Sequence, residues 1–122
     1  MLNHYIFRKY EISAAHYLPG HPKCGVIHGH NYIIELGFVT KDGEPLYLDF
    51  AEIDLRVKKI LKNLDHRLLN DVIKYPSVEN IATYIFKEVY TERLPIKVVR
   101  VYEDSRSYCE VVGEYDEDIS GK

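Results

Sequence analysis

Two segments near the N-terminus alternate between apolar and polar side chains, and this two-residue period predicts β-strands rather than helices. In residues 4–17 the apolar side is formed by positions of one parity, namely Tyr10, Ile12, Ala14 and His16. The proline- and glycine-containing residues 19–22 then predict a loop. A second strand begins near His28. One side of this strand carries two histidines followed by four apolar residues, namely His28, His30, Tyr32, Ile34, Leu36 and Phe38. Residues 41–43 predict the turn that ends it.

Two later segments have the 3.6-residue period of amphipathic helices. Asp49 can cap the first helix, and Glu52 follows at the spacing of a capping box. The apolar stripe of this helix is Phe50, Ile53, Val57, Ile60, Leu61 and Leu64. Pro76 and Ser77 open the second helix, and Pro95 prevents its continuation. The second stripe is Ile81, Ala82, Ile85, Phe86 and Val89.

The last patterned segment, from Ile96 to Tyr115, is rich in β-branched and aromatic residues around the turn sequence 104–106, which predicts a hairpin. The element order is therefore ββααββ. We expect an α+β fold in which two helices cover one face of a four-stranded antiparallel sheet. Because such a sheet keeps two open edges, the pattern also favours oligomerisation by edge pairing.

Composition limits the function classes. The 122 residues are 46% hydrophobic and 29% charged, which is typical of one soluble domain spanning residues 1–122. A net charge of -3 offers no basic surface for nucleic acid, and no stretch approaches the roughly 20 apolar residues of a membrane-spanning helix. Two cysteines are too few for a disulfide framework, so we expect a cytoplasmic protein. Residues from about 116 onward predict a solvated acidic tail.

Three histidines are the strongest candidates for chemistry. His28 and His30 lie two apart on one strand and therefore point the same way, with Gly29 between them. His16 ends the first strand in the phase of its apolar face, and antiparallel pairing would bring it beside the other two. Three imidazoles leave one position of a zinc ion open for water or substrate, which is typical of a catalytic site. Copper, nickel and iron also accept such ligands.

Three residues separate Cys24 from His28, and Cys24 allows two functional interpretations. It can be the fourth ligand of a closed structural site, or a thiolate base beside the metal. An inert loop residue is the third alternative.

Two further sites carry carboxylates. Asp65 can orient His66 for proton transfer, although capping or a solvated turn explains the same dipeptide. Glu103 follows Val99 and Val101 on the covered face of the third strand, where a carboxylate needs hydrogen-bond donors. A ligand with two N–H groups would match it, and water at a strand end would also satisfy it.

Together these segments resemble the 6-pyruvoyltetrahydropterin synthase and 6-carboxytetrahydropterin synthase family. The resemblance covers residues from about 7 to 110 and depends on an ordered set of short motifs. They are Ala14-Ala15-His16, Cys24 with His28-Gly29-His30-Asn31-Tyr32, Asp49-Phe50, Leu64-Asp65-His66 with Leu69-Asn70, Pro76-Ser77 with Glu79-Asn80, and Tyr102-Glu103.

The resemblance implies a tunnelling fold, in which three subunits close a barrel and two trimers stack into a hexamer with active sites between subunits. It implies Zn²⁺ held by His16, His28 and His30. Cys24 would be the general base, and Asp65 and His66 its proton-handling partners. Glu103 would anchor a pterin ring, with Ser77 as a helper.

The implied substrate is the small molecule 7,8-dihydroneopterin triphosphate. Three residues between Cys24 and His28 resemble the carboxy branch, which serves the 7-deazaguanine pathways of queuosine or archaeosine and releases triphosphate and acetaldehyde. The pyruvoyl branch, usually with a longer insertion, releases triphosphate only. A third branch has glutamate in place of the cysteine. Asp104 departs from the family's usual threonine and adds negative charge near the implied pocket.

The same residues allow alternatives for the activity and for the triphosphate contact. A non-catalytic zinc-stabilised module, or a pterin-binding protein without turnover, would contain the same histidines. The residues that hold the triphosphate also stay undecided among Lys23, Arg67 and Arg106.

Overall fold

The computed structural model describes residues 2–41 and 49–114. These ranges contain the elements in the predicted order, namely β1 (Asn3–His16), β2 (His28–Lys41), α1 (Phe50–Leu61), α2 (Val78–Thr91), β3 (Ile96–Tyr102) and β4 (Tyr108–Val112). A short 3-10 helix, Leu69–Asp71, follows α1 and is not foreseen by the sequence pattern. The turn predicted at residues 42–43 and the acidic tail from about 116 lie outside the described residues.

The four strands form one antiparallel sheet in the order β1-β2-β3-β4. β1 and β2 pair in a continuous register that runs from Asn3 opposite Lys41 to His16 opposite His28. Because side chains alternate between the faces of a sheet, this register places residues of equal phase on one face. It therefore brings the histidine-bearing ends of β1 and β2 together.

The helices cover the face that carries the buried apolar side chains, as the stripes predict. The core includes β2 residues Tyr32, Ile34, Leu36 and Phe38, together with Ile53 and Val57 of α1 and Ile81 and Ile85 of α2. The predicted cap is confirmed, since Asp49 accepts from the Ala51 amide at 2.8 Å, and Ser77, which opens α2 as predicted, also caps it by accepting from the Asn80 amide at 3.3 Å. Glu52 does not turn back to the cap, because its carboxylate binds Arg56 one turn later at 2.9 Å.

The expected apolar stripe of α1 is wrong at its first residue. Phe50 is 43% exposed, and the guanidinium of Arg8 lies 5.0 Å from its ring centroid. The same guanidinium binds Asp54 in the next turn through two nitrogens, at 3.0 and 2.7 Å. The start of α1 therefore packs against this ion pair rather than against the apolar core. Neither helix in the described ranges is long and apolar enough to cross a lipid bilayer.

Candidate metal centre and active site

The three predicted histidines meet at one end of the sheet. His16 and His28 face each other across the β1–β2 ladder, and His30 pairs with Ala14. One nitrogen from each ring lies within 4.8 Å of the other two, and no other group of three potential ligands emerges from the described residues. The Nε2 atoms of His16 and His28 are only 3.0 Å apart. The predicted convergence of these side chains is therefore observed.

The opposite edges of two of these rings are held by main-chain carbonyls. Nδ1 of His16 lies 2.8 Å from the Pro76 oxygen, and Nδ1 of His28 lies 2.7 Å from the Val26 oxygen. A carbonyl only accepts, so Nδ1 is the donor in each ring and Nε2 is left as the atom that can present a lone pair. Two facing lone pairs at this distance repel unless a proton or a cation lies between them. Carbonyl-oriented imidazoles with converging lone pairs are the donor set that a metal ion requires, so the residues fit one.

Glu103 lies against the same three-histidine group. Its Oε1 is 3.2 Å from Nε2 of His30 and 3.6 Å from Nε2 of His16. The Glu103 side chain keeps 30% of its surface exposed, whereas that of His16 is 1% exposed. Burial lowers the pKa of His30, and the Glu103 carboxylate opposes that shift. Glu103 thus stands between the histidines and the surface, where it can contact both.

The loop that carries Cys24 is held by His21, for which the sequence pattern predicts no role. The exposed His21 accepts from the amides of Lys23 and Cys24 through Nδ1, at 3.1 and 2.9 Å. The Leu18 amide donates to the Cys24 oxygen at 2.6 Å. A Cβ on Gly25 would lie 2.8 Å from the His21 oxygen, so this close approach requires glycine. The separation of three residues between His21 and Cys24 is the signal that could have revealed this turn.

Cys24 itself is half-buried and forms no disulfide. Its sulfur is not part of the group of ligand atoms within 4.8 Å that the three histidines form. Across the described residues no hydrogen bond or ion pair joins Cys24 to Asp65 or His66. The single chain therefore brings the histidines together, whereas within the described ranges no bond links Cys24 to the Asp65–His66 pair.

Asp65 and His66 do contact each other. Oδ1 of Asp65 lies 3.0 Å from Nδ1 of His66 and also accepts from the Ser13 amide at 2.9 Å. The hydrogen bond from the Ser13 amide is the main cause of the lowered pKa of Asp65, and His66 lowers that pKa further. The His66 amide donates to the Ser13 oxygen at 2.6 Å, with a positive φ of 59° at His66. The imidazole is thus oriented by a carboxylate while 80% of its surface stays open to the solvent.

A surface cavity of about 430 Å³ lies at this end of the sheet. Its lining includes His30 together with His66 and Arg67. Of the three cations considered for a triphosphate, Arg67 is the one in this lining. Four further lining residues have the opposite strand phase to His30, which places the cavity on the sheet face opposite to the His30 side chain; they are Ser13, Ala15, Gly29 and Asn31.

The segment before α2 connects the metal centre to the helix. The Pro76 oxygen orients His16, while the Ser77 hydroxyl is occupied as the cap of α2. Asp104, the residue that departs from the family pattern, accepts from the Arg106 amide at 2.8 Å within the β3–β4 turn. This bond is the main cause of its lowered pKa. The extra charge of Asp104 thus stabilises the turn.

Tyr32 is a second residue that sequence reasoning treated only as core. Its side chain is fully buried, and its hydroxyl has no hydrogen-bond partner among the described residues. The ring lies edge-on to those of His30 and His16, with centroids 5.3 and 6.0 Å away. Burial raises the pKa of Tyr32, and the nearby Glu103 and Cys24 act in the same direction. The aromatic residue two positions after His30 was the available signal.

Comparisons with known proteins agree with this geometry. The family model described as 6-pyruvoyl tetrahydropterin synthase matches residues 5–114. An Archaeoglobus fulgidus protein provisionally named a 6-carboxy-5,6,7,8-tetrahydropterin synthase is 39% identical over 102 residues, covering 81% of this chain and 87% of the relative. A Rickettsia felis 6-carboxy-5,6,7,8-tetrahydropterin synthase is 28% identical over 133 residues, covering 85% and 96%.

A solved structure shares the fold. The 6-pyruvoyl tetrahydropterin synthase of Caenorhabditis elegans superimposes with a TM-score of 0.79 at 21% identity, over 93% of this chain and 98% of that one. At this identity the likeness concerns architecture alone. It confirms the expected tunnelling fold of the subunit, four antiparallel strands backed by two helices.

Proposed function

The chain belongs to the 6-pyruvoyl tetrahydropterin synthase family, and we propose that it is a zinc-dependent carbon–oxygen lyase of the carboxy branch. It converts 7,8-dihydroneopterin triphosphate to 6-carboxy-5,6,7,8-tetrahydropterin, acetaldehyde and triphosphate. Loss of triphosphate breaks a carbon–oxygen bond, release of acetaldehyde breaks a carbon–carbon bond of the side chain, and the atom balance requires one water. The name of the 39% identical relative supports this branch, as does the spacing from Cys24 to His28. A role in a 7-deazaguanine pathway in the cytoplasm belongs to the same proposal.

The observation that carries the proposal is the orientation of the histidines. Pro76 and Val26 fix the Nδ1 protons of His16 and His28, so the Nε2 lone pairs converge with that of His30. His16, His28 and His30 would hold Zn²⁺. When bound, the ion supplies a Lewis acid for the side-chain oxygens of the substrate and increases the acidity of the adjacent C–H groups.

The remaining residues bind the ring and handle protons. Glu103 accepts the pterin N–H groups, and its partial exposure next to the histidines supports this role. Cys24 takes a proton from the substrate side chain as a thiolate. His66 returns a proton to the ring from its Nε2 atom, while Asp65 holds Nδ1. Arg67 is the candidate for the triphosphate.

The proposed assembly is a homohexamer, a dimer of trimers, with each active site shared between subunits. Two observations support it. β1 and β4 are the edge strands of the sheet. His66 is 80% exposed, and within the described part of the chain it makes no bond to Cys24. A neighbouring copy can bring the two together.

The test is product analysis with the zinc-loaded protein and 7,8-dihydroneopterin triphosphate. The proposal expects triphosphate and acetaldehyde in equal amounts, together with the carboxytetrahydropterin. Triphosphate without acetaldehyde would assign the chain to the pyruvoyl branch instead. Absence of turnover by fully zinc-loaded protein would leave only the non-catalytic alternatives.

A further inference from the structure

Tyr32 carries an unusual hydroxyl for a residue beside a metal centre. The whole side chain is buried, yet the oxygen finds no hydrogen-bond partner among the described residues. Buried hydroxyls are nearly always paired, because leaving one unpaired forfeits the hydrogen bonds that water would supply. We therefore expect the Tyr32 hydroxyl to find its hydrogen-bond partner in another state of the candidate site, the one in which the histidines hold a metal ion.

The surroundings limit which partner this is. Tyr32 shares its face of β2 with His30, and its ring contacts those of His30 and His16 edge-on. Glu103 lies against the same rings, with Oε1 3.2 Å from Nε2 of His30, and its charge adds to burial in raising the pKa of Tyr32. Solvent does not reach the hydroxyl, since the side chain is 0% exposed. The partner must therefore come from the protein side of the centre.

Glu103 is the carboxylate beside these rings. Its Oε1 faces Nε2 of His30 and of His16, at 3.2 and 3.6 Å, yet Nε2 of His30 makes no hydrogen bond within the described ranges. Nitrogens that hold a metal ion through their lone pairs have no proton to offer a carboxylate. With metal on the histidines Glu103 therefore finds no donor among them, and the Tyr32 hydroxyl is a buried donor without a partner.

We propose that Tyr32 is a positioning residue, whose hydroxyl donates to the Glu103 carboxylate once the histidines hold metal and orients it toward the N–H groups of the ligand. This inference rests on the proposed function, because it takes a pterin as the ligand of Glu103. Tyr32 acts through Glu103 and needs no contact with the substrate.

The experiment is a double-mutant cycle on the zinc-loaded protein, with neopterin as the probe and its dissociation constant as the readout. Tyr32→Phe weakens neopterin binding about 10-fold, the effect expected for one hydrogen bond to a carboxylate. In the Glu103→Gln background the same change weakens binding by less than about 3-fold, because a hydrogen bond to a neutral amide is weaker. Equal binding by Tyr32→Phe and the parent, or equal losses in both backgrounds, would overturn the inference.

The melting temperature of the zinc-free protein provides a second readout that does not depend on ligand. Tyr32→Phe leaves it unchanged or raises it, because the hydroxyl has no partner to lose. A clear fall would show that the hydroxyl serves the fold and would overturn the inference.

Tyr10→Phe is the matched control, since the Tyr10 hydroxyl binds Asp54 at 2.6 Å. It lowers the melting temperature and leaves neopterin binding unchanged. Weaker neopterin binding by this variant would overturn the assignment of the Tyr32 effect to Glu103.

If the zinc-loaded parent itself binds no neopterin, the proposed function fails and the inference with it. If the parent binds neopterin and Tyr32→Phe binds it equally well, the inference alone fails.

Discussion

Nδ1 of His16 donates to the carbonyl oxygen of Pro76 at 2.8 Å, which joins a candidate metal ligand at the end of β1 to the residue before the cap of α2. Both residues are buried. The bond fixes the ring tautomer at the metal centre and satisfies a carbonyl that has little access to water. One side chain therefore serves both the fold and the site.

His16→Ala is expected to destabilise the zinc-free protein by about 2 kcal/mol more than His28→Ala does. The reason is that it leaves the Pro76 carbonyl without its donor and creates a cavity in the buried site. Chemical denaturation of the two variants without metal measures the difference. Equal stabilities would show that the contact contributes nothing to the fold.

Loss of any one of the three histidines is expected to lower zinc affinity by more than about 100-fold, because two imidazoles cannot complete the site. Competition with a chromophoric chelator gives the affinities of the alanine variants of His16, His28 and His30. His4→Ala is the matched control, since His4 is an exposed histidine on β1. Zinc binding at parental affinity by any of these three variants would refute the site.

Cys24→Ala is expected to keep one zinc per chain and to reduce turnover by at least about 100-fold, the range for loss of a general base. Metal analysis and product release are measured on the same sample. Cys109→Ala, which removes the other cysteine, is expected to retain activity. If Cys24→Ala loses its zinc instead, Cys24 is a ligand of a closed structural site.

Mixed assemblies can reveal a site shared between subunits. Cys24→Ala and His66→Ala are each expected to be inactive, whereas equal amounts refolded together regain up to about a quarter of parental activity. This follows because random pairing places an intact Cys24 beside an intact His66 in one site of four. Separately refolded variants that are mixed afterwards are the control. No recovery in co-refolded samples that form hexamers would place both residues of a site in one chain.

Acid is expected to weaken the contact between β1 and α1. Hydrogen bonds from Arg8 and Tyr10 lower the pKa of Asp54 from 3.8 to about 2. Because the folded-state pKa is the lower one, the stabilisation is complete well above pH 4 and declines as the pH falls toward 2. Asp54→Asn should lose about 1 kcal/mol at pH 7, after allowance for solvent screening, and much less at pH 2. The loss of this stabilisation is complete only below the folded-state pKa, so a small part of the difference remains at pH 2. Stability curves against pH for this variant, with Asp71→Asn as an exposed control, test the difference.

Sequence alone determined those features that depend on local periodicity. A strand repeats every two residues, so the phases of His16, His28 and His30 followed from the apolar positions beside them. The 3.6-residue period gave the two helices, with a cap at Asp49 and a helix start at Pro76 and Ser77. The short motifs then indicated the family, because they lie in different parts of the chain and follow one another in the family's order.

Only the tertiary structure decided which distant groups meet. The carbonyl of Pro76 is 60 residues from His16, and Arg8 is 46 residues from Asp54, beside which it covers the exposed ring of Phe50. Such contacts depend on how the helices are placed against the sheet, which no short-range period records. The unpaired hydroxyl of Tyr32 is hidden for a related reason. Its position in the apolar stripe predicts burial correctly, but the stripe does not reveal whether a hydrogen-bond acceptor lies within reach.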